Sequence, residues 1–204
     1  MKIGIINYNF CNPHSIYQTM KSLTDNVEIV NDANNLKKFD KIIIPGVGAA
    51  NSAIKYLKEN GFIDEIKEFH LKEKNIMGIC LGMQLLFNNL HEHGLTKGLG
   101  FFKSDIVQID KVYSLKTNIG WRRIKKNLTK NNTIYAIKDE NYFYFCHSYY
   151  AKMKQVEEKY VQFYLKDINQ IPCIIKKDNI VGFQFHPEKS QKNGIKLLIN
   201  YLQS

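Results

Sequence analysis

Residues 75–86 read NIMGICLGMQLL, and this stretch decides how the fold is interpreted. The apolar run Asn75–Ile79 predicts a buried β-strand, and the helical pattern Leu81–Asn89 follows it at once. Cys80 stands at the junction, with a glycine two positions away on either side. This is the thiol form of the G-x-S-x-G elbow, a sharp strand-to-helix turn that exposes a nucleophile. The stretch therefore predicts an α/β sheet with a reactive cysteine at the end of a strand.

Outward from this stretch, short apolar runs alternate with helical patterns. Further strands are predicted at 2–6, 27–30, 41–44, 105–109, 142–146, 160–165, 173–176 and 180–185. Further helices are predicted at 16–23, 52–60, 62–73 and 191–203. The alternation in the first half predicts a doubly wound, mostly parallel sheet flanked by helices, and the strand-rich second half predicts an antiparallel extension. Because no repeat, linker or low-complexity segment interrupts the pattern, we expect a single domain over residues 1–204.

The composition excludes several classes of protein. No apolar run approaches the ~20 residues of a membrane span, and the apolar start Met1–Ile6 is too short for a secretory signal. The four cysteines lie far apart and form no C-x-x-C pair, which favours reduced thiols over a zinc ribbon or a disulfide framework. We therefore expect a cytoplasmic protein with no membrane partner.

The net charge of +10 raises the question of nucleic-acid binding, which the residue types do not favour. Only Arg122 and Arg123 are arginines, whereas proteins that read bases favour bidentate arginine. The lysines are spaced along the whole chain, and no nucleic-acid-binding motif is present. The charge is interpreted as solvated lysine faces, and no nucleic-acid partner is expected.

The residues around Cys80 suit a nucleophile. Gly78 and Gly82 let neighbouring backbone pack close to the turn. The start of the following helix presents free N–H groups that lower the pKa of a thiol, and the N–H of Leu81 points to where an oxyanion forms. A cysteine without such neighbours is more often a small buried residue, which is the interpretation of the other three, Cys11, Cys146 and Cys173.

A thiol nucleophile needs a histidine as base and a group that orients this histidine. His186 ends an aromatic-rich strand and is followed by Pro187 and Glu188. In an extended stretch, residues i and i+2 point to the same side, so the Glu188 carboxylate is expected beside the His186 imidazole. His147 also ends an aromatic run and is a rival base, although no carboxylate stands near it in the sequence.

Two further patterns were considered as metal or phosphate sites. His91 and His93 flank Glu92, but a third ligand is not visible and no metal is expected. The loop Pro45–Ala50 contains a G-x-G that no third glycine completes, and it follows the third strand, so a dinucleotide site is not expected. The loop is interpreted as a flexible strand that supplies a second oxyanion N–H, and no cofactor is expected.

Five motifs, in the same order, resemble those of the glutaminase subunits of imidazole glycerol phosphate synthase, which are class I glutamine amidotransferases. The motifs are IIIPGVGA at 42–49, GICLGMQLL at 78–86, GW at 120–121, HSYY at 147–150 and FQFHPEKS at 183–190. The resemblance spans nearly the whole chain. It implies hydrolysis of glutamine to glutamate and ammonia, and transfer of the ammonia to a TIM-barrel cyclase in a heterodimer of the histidine pathway.

The same resemblance implies a role for individual residues. Cys80 is the nucleophile, His186 the general base and acid, and Glu188 the residue that orients His186. The oxyanion hole consists of the N–H groups of Val47 and Leu81. The glutamine-binding residues are Gln84, Gly46, Gly48 and the backbone at Ser148 and Tyr149. The contacts to the cyclase are Trp121 and Tyr144.

Two segments depart from the family pattern. The family opens with I-x-D-Y-G-x-G-N, where this chain has INYNFCN at 6–12, and the family's P-H-[MI]-G-W-N is TNIGWR at 117–122. The triad is intact, but the pathway is left open. One alternative is a paralogous subunit that supplies ammonia for amidino-sugar synthesis on surface glycans, and another is a non-catalytic scaffold.

Overall fold

The computed structural model describes residues 1–8, 11–109, 117–128, 137–138, 141–168 and 170–204. The helices are α1 (Pro13–Lys21), α2 (Ala50–Glu59), α3 (Phe62–Leu71), α4 (Leu81–Leu85) and α5 (Gln191–Gln203). The strands are β1 (Ile3–Ile6), β2 (Val27–Val30), β3 (Lys41–Ile44), β4 (Asn75–Ile79), β5 (Phe87–Leu90), β6 (Thr96–Lys97), β7 (Phe102–Gln108), β8 (Asn118–Lys126), β9 (Tyr142–His147), β10 (Tyr149–Lys152), β11 (Val161–Leu165), β12 (Pro172–Lys177) and β13 (Ile180–Phe183). Short 3₁₀ helices cover Ala33–Lys38, Gln155–Tyr160 and Pro187–Lys189.

A nine-stranded sheet in the order β2-β1-β3-β4-β13-β12-β11-β8-β9 forms the centre of the molecule. Strands β2 to β13 in this order run parallel, and β13 to β9 pair antiparallel. The predicted α/β sheet with an antiparallel extension is confirmed. Cys80 directly follows β4, so it lies at the carboxyl edge of the parallel strands, where open α/β sheets place their ligand sites.

Helices cover both faces of the parallel strands, which explains why these strands are apolar throughout. Ile42 and Ile44 pack into one buried cluster, whereas Ile43 packs into the other on the opposite face. None of the helices in the described part of the chain has the length and apolar character needed to cross a lipid bilayer.

The predicted helix at 81–89 is wrong in its second half. Helix α4 ends at Leu85, and β5 joins a second sheet of four strands in the order β10-β7-β5-β6. The backbone there pairs across the sheet, because the carbonyl of Leu86 accepts from the N–H of Phe101 (2.9 Å). Phe87 stacks on Phe102, with ring centroids 5.1 Å apart. Tertiary pairing therefore overrides the local helical pattern.

Two other local predictions differ from the structure. Helix α1 begins at Pro13, because proline is favoured in the first turn of a helix, and not near Ser15. Strand β8 was missed, because its exposed and half-buried residues include two arginines and lysines and give no apolar run.

Candidate active site

Cys80 lies on a strained turn between β4 and α4. Its backbone has φ 51° and ψ −109°, a left-handed conformation that is unusual for a residue other than glycine. The two flanking glycines make this turn sterically feasible. A Cβ atom on Gly82 would collide with the carbonyl oxygen of Ile44, and one on Gly78 would lie 2.7 Å from the Gly82 carbonyl oxygen. The strand-to-helix elbow expected from the sequence is therefore present.

The sulfur of Cys80 is almost completely buried, and polar groups surround it. The backbone N–H of Cys80 donates to the carbonyl of Phe183 (2.7 Å), which ties the turn to β13. Its Sγ lies 3.7 Å from the carbonyl oxygen of Cys146 and 3.9 Å from Nε2 of Gln184. The turn is thus tied to β13 and to β9.

His186 and Glu188 form a buried pair next to this thiol. Nδ1 of His186 lies 2.8 Å from Oε1 of Glu188, and both side chains are at most 6% exposed. Burial opposes the charge of His186, but hydrogen bonds and charge interactions with Cys80 and Glu188 outweigh it and raise its pKa to about 10. The ring is therefore protonated at neutral pH.

The reason given above for this pairing was wrong, although the pair is present. The backbone of His186 is extended, but the chain does not continue as a strand, because Pro187–Lys189 forms a 3₁₀ turn. Ser190 fixes this turn, since its Oγ donates to the His186 carbonyl (2.6 Å) and accepts from the N–H of Tyr144 (3.0 Å). The turn brings the carboxylate back onto the imidazole.

A cleft of about 320 Å³ opens beside the thiol. Its lining includes Cys80, Leu81, Gln84, His186, the loop residues Gly46, Val47 and Gly48, and the β9–β10 residues Tyr144, Ser148 and Tyr149. The structure therefore brings together residues that are up to 140 positions apart in the sequence, since both Gly46 and His186 line the same wall.

The glycine-rich loop after β3 lies directly against the Cys80 turn. Gly46 has no room for a side chain, because a Cβ there would meet the backbone nitrogen of Leu81 at 2.6 Å. Gly48 has φ 101°, and Val47 is exposed. The buried hydroxyl of Tyr8 donates to the carbonyl of Pro45 (2.5 Å) and anchors the start of the loop.

His147, the rival base, has both ring nitrogens occupied. Nδ1 lies 2.7 Å from the carbonyl oxygen of Tyr149, and Nε2 lies 2.8 Å from Nδ2 of Asn118. Burial lowers the pKa of this ring to about 4, although the Tyr149 carbonyl acts in the opposite direction. A neutral ring with no free nitrogen cannot serve as a base for Cys80.

Glu92 is a residue of this cleft that was not predicted from the sequence. Glu92 lines the cleft, and its Oε2 accepts from the N–H of Ala50 (2.6 Å) at the start of α2. Its neighbour His91 points elsewhere, with Nε2 3.8 Å from Oδ2 of Asp105. In the described ranges, no three histidine, cysteine, aspartate or glutamate side chains are arranged so that they could hold a metal ion. In the sequence, Glu92 was noted only as the residue between His91 and His93, a pattern from which no metal site was expected.

The remaining predicted residues lie on the β8–β9 hairpin. Trp121 pairs with Tyr144 across the two strands, and their rings meet edge to face with centroids 6.1 Å apart. Three apolar side chains of this hairpin are exposed: Trp121 to 42%, Ile119 to 52% and Tyr142 to 49%. Cys146 is exposed on the same hairpin, so its interpretation as a core residue was wrong, whereas Cys173 is buried as expected. Cys146 is exposed because buried and exposed side chains alternate along β9.

The chain was compared with known proteins. The profile of the family Glutamine amidotransferase class-I matches residues 5–202. The chain is 39% identical to the imidazole glycerol phosphate synthase subunit HisH of Caldanaerobacter subterraneus subsp. tengcongensis, over 98% of this chain and 96% of that protein. It is 37% identical to HisH 1 of Campylobacter jejuni, over 98% of both chains.

Solved structures share the fold at lower identity. One is PurLQS from Thermotoga maritima, with a TM-score of 0.77 and 19% identity over 99% of this chain and 97% of that chain. Another is described as a glutamine amidotransferase, with a TM-score of 0.75 and 14% identity over 100% and 98%. The elbow at Cys80, the buried His186–Glu188 pair and these similarities agree, and the chain belongs to the class I glutamine amidotransferase family.

Proposed function

We propose that this chain hydrolyses glutamine to glutamate and ammonia through Cys80, His186 and Glu188. The observation that carries the proposal is the strained Cys80 turn in a cleft, with the buried His186–Glu188 pair beside it. A thiol activated by a histidine that a carboxylate orients is the arrangement needed for nucleophilic acyl transfer.

The reaction begins when the Cys80 thiolate attacks the side-chain amide carbon of glutamine. The N–H groups of Leu81 and Val47 stabilise the oxyanion, and loss of one such donor costs about 10²–10³ in rate. Protonated His186 then gives its proton to the departing nitrogen, and ammonia leaves. Water, deprotonated by the now neutral His186, hydrolyses the thioester and releases glutamate and the thiolate.

The cleft offers groups for the rest of the glutamine molecule. Gln84, Gly46, Gly48 and the backbone at Ser148 and Tyr149 are assigned to the substrate, and all of them line the cleft. Glu92 places a carboxylate in the same lining, which complements the α-ammonium group of glutamine.

The ammonia requires a docked acceptor enzyme, because free ammonia is protonated in water at neutral pH. The named relatives are HisH subunits, so the proposed partner is the cyclase subunit of imidazole glycerol phosphate synthase, in a cytoplasmic heterodimer of histidine biosynthesis. Trp121 and Tyr144 are assigned to its contact surface, because Tyr144 lines the cleft and the exposed Trp121 packs edge to face against it across the two strands. Such a surface typically marks a protein interface.

The test is a glutaminase assay with and without a cyclase barrel. We expect glutamate release that rises when the barrel is added. Absence of hydrolysis even with the partner of the same organism would favour the non-catalytic scaffold. Stimulation by an enzyme of surface-glycan synthesis and not by the cyclase would favour the amidino-sugar pathway.

A further inference from the structure

A row of polar side chains runs from β8 to the wall of the cleft. Nε of Arg122 donates to Oδ1 of Asn118 (3.1 Å), and Nδ2 of Asn118 lies 2.8 Å from Nε2 of His147. Nδ1 of His147 lies 2.7 Å from the carbonyl oxygen of Tyr149. Asn118 and His147 face each other in the β8–β9 ladder, so the strand register holds the pair together.

The direction of each hydrogen bond in this row follows from its ends. Arginine only donates, so the amide oxygen of Asn118 faces Arg122 and the amide nitrogen faces His147. Nε2 of His147 is therefore the acceptor, and the ring proton sits on Nδ1, where it donates to the Tyr149 carbonyl. Asn118 is fully buried, and no water is needed to satisfy either of these contacts.

The Tyr149 carbonyl receives a second hydrogen bond from within the cleft. Nε2 of Gln84 donates to it (2.9 Å) and also approaches Oε1 of Gln184 (3.2 Å). Nε2 of Gln184 in turn lies 3.9 Å from the sulfur of Cys80. Both lone pairs of the Tyr149 carbonyl are thus used, and its peptide is fixed relative to the nucleophile.

We propose that Arg122, Asn118 and His147 act as a positioning relay that holds the Ser148–Tyr149 backbone in the orientation that binds glutamine. His147 also lines the cleft, but both of its ring nitrogens are occupied, so it is a positioning residue that acts through the Tyr149 peptide. The inference deepens the proposed function and rests on it, since glutamine is the ligand.

The β8 residues of the relay lie in the segment TNIGWR at 117–122, which departs from the family pattern. Asn118 stands where the pattern has histidine, and Arg122 stands where it has asparagine. These two residues contact each other through the 3.1 Å hydrogen bond, and Arg122 fixes the amide orientation that His147 requires.

Calorimetric glutamine binding tests the relay in a Cys80→Ala background, which prevents turnover. We expect Asn118→Leu to weaken binding about tenfold, as for one lost buried hydrogen bond, and Arg122→Gln to weaken it about threefold. The matched control is Arg123→Gln, since the Arg123 guanidinium lies over the Tyr142 ring (5.7 Å) outside the relay, and its affinity should not change. In Asn118→Asp the carboxylate accepts from Arg122 and from a doubly protonated His147, whose Nδ1 still donates to the Tyr149 carbonyl, so binding should stay close to that of the parent.

Nitrogen NMR of the His147 ring supplies a readout that a general loss of stability would not move. In the Cys80→Ala parent at pH 7, Nδ1 should carry the proton and Nε2 should be unprotonated, and in Asn118→Asp both nitrogens should be protonated. The relay is overturned if the His147 ring of the parent is protonated on Nε2. It is also overturned if the Asn118→Leu variant binds glutamine as tightly as its parent. Should Asn118→Leu fail to fold, Arg122→Gln and the parent tautomer decide the question.

These outcomes also separate the relay from the proposed function. Absence of glutamine binding to the parent would contradict the function, and the His147 tautomer would still decide whether the relay exists. Normal binding in the parent with unchanged affinity in both relay variants would remove the relay and leave the function standing.

Discussion

The two walls of the cleft are built by different means. On the parallel side of the sheet, backbone packing holds the Cys80 turn, and Gly82 has no room for even one added carbon atom. On the antiparallel side, side-chain hydrogen bonds hold the Ser148–Tyr149 backbone, through His147 and Asn118. Closely packed backbone tolerates no larger side chain. A row of hydrogen-bonded side chains tolerates a substitution if the donors and acceptors still match. The motif around Cys80 is kept, and the departure at TNIGWR falls on β8, whose Asn118 and Arg122 belong to the hydrogen-bonded row.

The largest effect is expected on the parallel side, for Cys80→Ala. Glutaminase activity should fall at least about 10⁴-fold, because the nucleophile is lost and only binding and oxyanion contacts remain. Urea unfolding should show that the variant still folds cooperatively, since alanine keeps the backbone of the turn and loses only the contacts of the thiol. Appreciable turnover in this variant would remove Cys80 from the mechanism.

Glu188→Gln tests the pair that faces the nucleophile. The turnover number should fall about 10³-fold, because a neutral amide neither stabilises the imidazolium nor orients the ring in the same way. Steady-state assays at saturating glutamine measure this, and a KM change alone would contradict it.

The same substitution should change the pH dependence of stability. The pKa of His186 is raised to about 10, so its protonated form stabilises the fold fully below its ordinary value of 6.5. This contribution is lost as the pH rises from 6.5 towards 10. In Glu188→Gln the pKa is raised less, so the loss should be complete at a lower pH. Urea unfolding from pH 6 to pH 10 measures the unfolding free energy of the parent and of Glu188→Gln. Parallel pH dependences of the two proteins would contradict the role of Glu188 in raising the His186 pKa.

A pair of glycine substitutions compares the two walls by stability. Gly82→Ala should cost about 3 kcal/mol or more, because its Cβ collides with backbone that cannot move. Gly120→Ala on β8 meets open space and should cost about 1 kcal/mol, from the strain of alanine at φ 111°. Chemical denaturation measures both, and equal losses would mean that the walls do not differ as described.

The smallest effect is expected for Tyr8→Phe. The variant loses the hydrogen bond to Pro45 but keeps the ring, so the loop with Val47 is less well held. We expect turnover to fall several-fold, up to about tenfold, with little change in KM. A rise in KM with unchanged turnover would instead place the loop in ground-state binding.

How much the sequence predicted follows the same division. The strand-turn-helix around Cys80 is local, so a few neighbouring residues specify it, whereas the 3₁₀ turn after His186 was taken for an extended stretch. Strand β5 and the contacts of Glu92 depend on partners far along the chain, and no local pattern encodes them. His147 is an intermediate case, because its motif was visible but its neighbour Asn118 lies 29 residues away. The predicted roles in substrate and partner binding stay predictions.

The exposed thiol of Cys146 has a practical consequence. It lines the same cleft as Cys80 but points outward from β9. In a Cys80→Ala background, a fluorescent or spin label on Cys146 would sit at the rim of the cleft, between the glutamine pocket and the hairpin. One labelled position could then report separately on ligand occupancy and on the arrival of a second protein.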